Sequence, residues 1–178
     1  MRCHFLKVVV CLSVPMRTVP KSWGNVNPKP CRNSYWICSI YGIQAAWADS
    51  KITHRTAQLL ALAERIETNK PELAEAVCME VGRCLRECEA EIDKTVDLIR
   101  YYAKLAPELL DSKTITTQAS LSQVRFEPLG VVLAVMPWNY PVWQIMRFAV
   151  PALCAGNACL VKPAPSVAQV TAKLMAFV

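Results

Sequence analysis

From about residue 45 onward the apolar positions recur at helical spacing, and further along they switch to short continuous runs. Leu59, Ala63 and Ile66 fall on one face of a first helix opened by Ile52-Thr53, with Thr53 as N-cap and Thr68-Asn69-Lys70 as the break. Pro71 suits the first position of a second helix over residues 71–81, which Gly82 closes. A third, longer helix is predicted by Leu85, Cys88, Ile92, Val96, Ile99 and Ala103, spaced 3, 4, 4, 3 and 4 apart. Its acids, Glu87, Glu89, Glu91 and Asp93, lie early and Arg100 and Lys104 lie late, as the helix dipole favours.

Residues 112–127 are rich in Thr and Ser around Val124 and Phe126, and read as one or two extended segments crossing the surface. The run Val131-Val132-Leu133-Ala134-Val135 is short, β-branched and bounded by Gly130 and Pro137, which predicts a buried parallel strand over residues 130–136. A helix over about 142–154, a Gly156-Asn157 turn, a strand over 158–161, Lys162-Pro163 and a further helix from Val167 complete the order. Such a βαβα order predicts an α/β fold built on a right-handed parallel unit.

The stretch joining the first strand to its helix, MPWNYPVW at residues 136–143, holds Asn139 between two prolines and among three aromatics. Pro137 and Pro141 fix their own φ and bias Met136 and Tyr140 toward extended backbone, so the loop has few ways to rearrange. A rigid loop at the carboxyl end of a strand is where open α/β sheets hold ligands. By residue type and position alone, Asn139 is either a helix cap or a hydrogen-bond donor aimed at a ligand.

Charge changes the picture at the amino end. The chain has 178 residues, 53% of them hydrophobic, and a net charge of +6. Residues 1–48 carry six basic residues and no acid, which leaves 14 basic and 14 acidic groups in the remainder. A neutral body argues against a nucleic-acid footprint. Residues 1–44 show no sustained period, so they are set apart as an extension. MRCHFLKVVVCLSVP resembles a weak signal peptide, and the whole acid-free stretch has the composition of a transit peptide. Residues 45–178 form the domain.

Nine scattered cysteines with no CxxC spacing read as buried thiols in a reducing compartment: Cys84 and Cys88 share a helix, while Cys154 and Cys159 flank the Gly-Asn turn. His4 and His54 are too isolated to build a metal site, and none is expected. Residues 128–146 are uncharged, but Pro128, Pro137, Pro141, Asn139 and Gln144 argue against a bilayer span.

The stretch EPLGVVLAVMPWNYPVWQIMRFAVPALCAGNACLVKPAPSV resembles the amino-terminal part of the cofactor domain of the aldehyde dehydrogenase superfamily, and is most similar to its succinate-semialdehyde dehydrogenase branch. ETNKPELAEAVCMEVGRCLRECEAEIDKTVDLIRYYAKLAPELL is similar to that family's leading helices. The resemblance implies leading helices followed by the start of a Rossmann-like parallel sheet. It also implies oxidation of a small aldehyde, succinate semialdehyde above all, by thiolate attack, hydride transfer to NAD or NADP, and hydrolysis through a Glu-activated water.

On that resemblance the Asn139 amide donates to the oxyanion formed when the carbonyl is attacked. Lys162 binds the cofactor's ribose hydroxyls or a nearby phosphate. Met136, Pro137 and Trp138 line the cofactor and substrate side, and Pro163 and Ala164 carry the chain past the cofactor. The family pattern continues KPSE, whereas here Pro165 stands where the Glu would be, so NAD against NADP stays open. A homo-oligomer is implied, cytoplasmic, or mitochondrial should residues 1–44 act as a transit peptide. The family's nucleophilic Cys, general-base Glu and pyrophosphate turn fall beyond the second βα unit, so the chain is expected to be inactive alone. The alternative is a non-catalytic remnant or an interaction fragment of such an enzyme.

Overall fold

The computed structural model describes residues 42–178. The readings made on residues 1–41, including the targeting resemblance and His4, lie outside the described residues. A helix α1 at 42–48 precedes α2 (Ile52–Thr68), α3 (Lys70–Val81) and α4 (Leu85–Leu109). Two short strands, β1 (Lys113–Thr114) and β2 (Gln123–Val124), pair antiparallel, and both are exposed. After them come β3 (Val131–Val135), α5 (Pro141–Cys154), β4 (Ala158–Lys162), a 3₁₀ turn at Pro165–Val167, and α6 (Ala168–Phe177). β3 and β4 are parallel with α5 between them in sequence, as the βαβα reading expects.

The helices follow from their stripes. Leu59, Ala63 and Ile66 of α2 meet Cys88, Ile92 and Ile99 of α4 in one core, all fully buried. Burying a side chain of this size contributes roughly 1.5–3 kcal/mol. That core extends to Ile145, Met146 and Val150 of α5 and to Val170 and Leu174 of α6.

The break between α2 and α3 is narrower than the sequence suggests. Asn69 alone interrupts the helices, its side-chain amide donating to the Arg65 carbonyl at 2.8 Å. Gly82 ends α3 at φ 80°, in the left-handed region where a side chain is strained. A Cβ there would meet nothing within 4 Å, so the cost of adding one is purely conformational. Gly82→Ala is therefore expected to lower stability by about 1 kcal/mol, seen as a lower urea midpoint at unchanged slope. An unchanged midpoint would mean that the turn relaxes freely.

Four expectations need correction. Thr53 does not cap α2: the N-cap is Lys51, with no side-chain cap bond, and its carbonyl accepts from the His54 and Arg55 N–H groups at 2.9 and 3.2 Å. Leu85, the first member of the α4 stripe, is exposed because it opens the helix before the stripe reaches the core. Cys84, just before α4, is exposed as well. The run 131–135 was expected to be buried, and only Ala134 is. Leu133 and Val135 are 65% and 68% exposed, since among the described residues β3 pairs with β4 alone and the helices cover one face. β4, lying nearer α5, is largely buried.

α5 is tied down at its carboxyl end by the leading helices. Trp47 Nε1 donates to the Leu153 carbonyl at 2.9 Å, Arg55 Nε to the Cys154 carbonyl at 3.0 Å, and Gln44 Nε2 to the Gly156 carbonyl at 3.1 Å. These side chains add donors to the carbonyls at and just past the end of α5, and a buried cation beside them complements the helix dipole. Burial pulls the Arg55 guanidinium below its usual range, with Cys154 opposing. Among the described residues no helix is long and apolar enough to cross a membrane.

Candidate functional site

The carboxyl ends of β3 and β4 lie side by side. Val135 is in register with Lys162, and the Met136 N–H donates to the Lys162 carbonyl at 2.9 Å, carrying the ladder one residue past β3. Pro137 has no N–H to continue it, so the chain leaves the sheet there. Met136 is half-buried against the core, whereas Pro137, Trp138, Asn139 and Tyr140 are exposed. On the neighbouring strand Lys162 is half-buried, Pro163 buried and Ala164 half-buried ahead of the 3₁₀ turn. The fold thus brings Met136 against Lys162 at one sheet edge, with the Asn139 loop leaving from the same edge.

Asn139 does not cap α5. The N-cap is Tyr140, with φ −138° and ψ 71° and no side-chain cap bond, and Pro141 opens the helix. The Asn139 carboxamide is exposed and makes no hydrogen bond to any described residue. The cap comes from another helix. Glu91 Oε1 accepts from the Val142 N–H at 2.9 Å and from the Trp143 N–H at 3.0 Å. Its other oxygen pairs with Arg83, whose guanidinium lies 4.2 Å from the centre of the Tyr140 ring. The Glu91 side chain is completely buried. Lys94 Nζ covers the Trp143 ring at 4.0 Å.

Sequence reasoning missed Glu91, assigning it to the acidic first turns of α4. The available sign was its place on the apolar face between Cys88 and Thr95, both buried. An acid in a buried stripe calls for a partner.

Lys162 Nζ donates only to the carbonyl of its neighbour Pro163, at 3.3 Å, and faces no carboxylate in the described chain. The start of α6, by contrast, is satisfied internally: Glu80 accepts from the Gln169 and Val170 N–H groups at 3.0 and 2.8 Å. This edge therefore offers the Lys162 ammonium, while the α6 terminus is already capped. This donor set fits a ribose or a phosphate.

Three of the described thiols are core groups. Cys154 and Cys159 are buried, and desolvation pushes them up to about 11 and about 12, with Arg55 partly opposing the shift at Cys154. Both are neutral thiols at physiological pH, in keeping with core roles. Cys88 is raised for the same first reason, burial, with Arg83 opposing.

Residues 40–178 match the model of the aldehyde dehydrogenase family. The chain is similar to a probable succinate-semialdehyde dehydrogenase [NADP(+)] of Synechocystis, 45% identical over 60% of this chain and 24% of the relative. It is also similar to the succinate semialdehyde dehydrogenase [NAD(P)+] Sad of Escherichia coli, 34% identical over 68% of this chain and 26% of the relative. Among solved structures, a succinic semialdehyde dehydrogenase from Streptococcus pyogenes in complex with NADP+ superposes with a TM-score of 0.75 at 26% identity, covering 82% of this chain and 33% of that one. A betaine aldehyde dehydrogenase double mutant from Staphylococcus aureus in complex with NAD+ superposes with a TM-score of 0.74, covering 79% of this chain and 29% of that one. The chain spans about a quarter of the length of the two curated relatives.

Proposed function

The chain belongs to the aldehyde dehydrogenase family, and on that premise we propose that the carboxyl edge of β3 and β4 is part of the reaction site of an NAD(P)-dependent enzyme oxidising a small aldehyde, a semialdehyde such as succinate semialdehyde, to its carboxylate. The observation that carries this reading is the exposed carboxamide of Asn139, without a hydrogen-bond partner among the described residues and held on a loop braced by two prolines and by Glu91. Attack on the aldehyde carbon moves a full negative charge onto the carbonyl oxygen. A fixed amide N–H aimed at that oxygen stabilises it without reorganising water. NAD(P), when bound, takes up the hydride.

Lys162 holds the ribose or a phosphate of that cofactor through its ammonium, and Met136, Pro137, Trp138, Pro163 and Ala164 form the surface against which the cofactor rests. Pro165 puts no carboxylate beside Lys162, so a 2′-phosphate is tolerated there. The succinate-semialdehyde names of the relatives favour a substrate carrying a carboxylate at its far end. Cys154 and Cys159, buried and neutral, are not suited to be the nucleophilic thiolate of this reaction. A homo-oligomer fits the family.

The test is a chimera in which residues 40–178 replace the matching segment of the Synechocystis relative, assayed for NADP+ and NAD+ reduction with succinate semialdehyde. Activity supports the reading, and a folded but inactive chimera opposes it. Within the chimera, Lys162→Ala is expected to raise KM for the cofactor about tenfold while changing kcat little, because a ribose or phosphate contact is made equally in ground and transition states. An unchanged KM would return Lys162 to the solvated surface.

A further inference from the structure

We infer that Glu91 is a positioning residue for the Asn139 loop, setting from α4 the direction in which the Asn139 amide is presented. The inference rests on the reading of Asn139 as an oxyanion donor. Three observations on different elements converge on the Glu91 carboxylate. One oxygen takes both of the first free N–H groups of α5, Val142 and Trp143, just beyond the loop. The other oxygen pairs with Arg83, and Arg83 lies against the Tyr140 ring, next to Asn139 in the chain. The group is also fully buried, so water does not replace it when it is removed.

Both neighbours of the loop's carboxyl end are thereby fixed by one side chain, while Asn139 makes no side-chain hydrogen bond to a described residue. At the other end the Met136 N–H is fixed by the Lys162 carbonyl. Between these anchors the loop holds four residues, Pro137 to Tyr140, and Pro137 has no φ freedom. A donor placed this way gains rate by being aimed before the charge forms, and small misplacements are costly.

Val142 and Trp143 would lose a charged acceptor in Glu91→Ala, whereas Glu91→Gln keeps a neutral one of the same reach. In the chimera, Glu91→Ala is expected to lower kcat about tenfold with the cofactor KM unchanged, and Glu91→Gln to retain most of the turnover. With Asn139 already replaced by Ala, the same Glu91→Ala change should cost less than about twofold, since its effect passes through Asn139. An equal loss in both backgrounds would make Glu91 a stabilising residue only and overturn the inference. Should Glu91→Ala not fold, Glu91→Asp, one methylene shorter, runs the same cycle.

A separate readout covers the case in which Asn139→Ala alone leaves kcat unchanged, which is the failure of the oxyanion reading. Hydrogen exchange in the 178-residue chain should then show the Val142 and Trp143 amides, and the Gln144 amide bonded to the Tyr140 carbonyl, about tenfold faster in Glu91→Ala, restored in Glu91→Gln, with the Ile145 and Val150 amides unchanged. Uniform acceleration, or none, overturns the positioning role.

Discussion

Asn139→Ala in the chimera should lower kcat by about 10²-fold or more, with the cofactor KM and the melting temperature close to those of the parent. The size follows from what is removed. A donor pointed at the oxygen where charge develops acts in a site from which water is displaced, and nothing mobile takes its place. The stability expectation follows from the structure: the Asn139 side chain is exposed, bonds to no described residue and does not cap α5, so its loss strips no folded-state contact. Asn139→Asp should be as damaging, because a carboxylate of the same shape accepts hydrogen bonds and repels the oxyanion. Turnover per folded molecule that survived both substitutions would remove Asn139 from the catalytic group.

The second large effect is a complete one. The 178-residue polypeptide, incubated with succinate semialdehyde and either NAD+ or NADP+, should give no cofactor reduction above the blank. A thiolate is the nucleophile in this chemistry, and the thiols at the end of α5 and in β4 are the wrong kind. Cys154, at about 11, carries on the order of 10⁻⁴ of its population as thiolate at neutral pH, and Cys159 less. Both are sealed in the core. Among the described cysteines, iodoacetamide should modify the exposed Cys84 first and leave Cys154 and Cys159 intact until the chain unfolds. Turnover by the isolated polypeptide, abolished by Asn139→Ala, would show that it carries a nucleophile of its own.

Much of this fold is local in origin, and so was legible in the sequence. The α4 stripe from Cys88 to Ala103, the Gly82 stop, and the Pro-bounded loop after β3 each follow from spacing or from a backbone restriction that a residue carries with it. The two parallel strands were placed to within a residue at either end. The placement of Lys162 at the end of one strand and of Asn139 just past the other was legible for the same reason. The edge's support was not. Glu91 looked like one of several acids suited to an early helical turn, and Thr53 looked like a cap because Thr often is one.

What the sequence by itself determined is therefore the set of elements, their order, and the loop that presents Asn139, because helical period, strand runs, glycine and proline act over a few residues. What only the tertiary structure decided is who satisfies whom. Glu91 caps a helix through the Val142 N–H, 51 residues later, and Arg55 closes the end of that same helix from 99 residues away. It also decided which apolar strand is covered, leaving Leu133 and Val135 bare while Val161 is buried. Free helix ends must find hydrogen-bond partners wherever packing brings them, and no spacing along a chain records which distant side chain arrives.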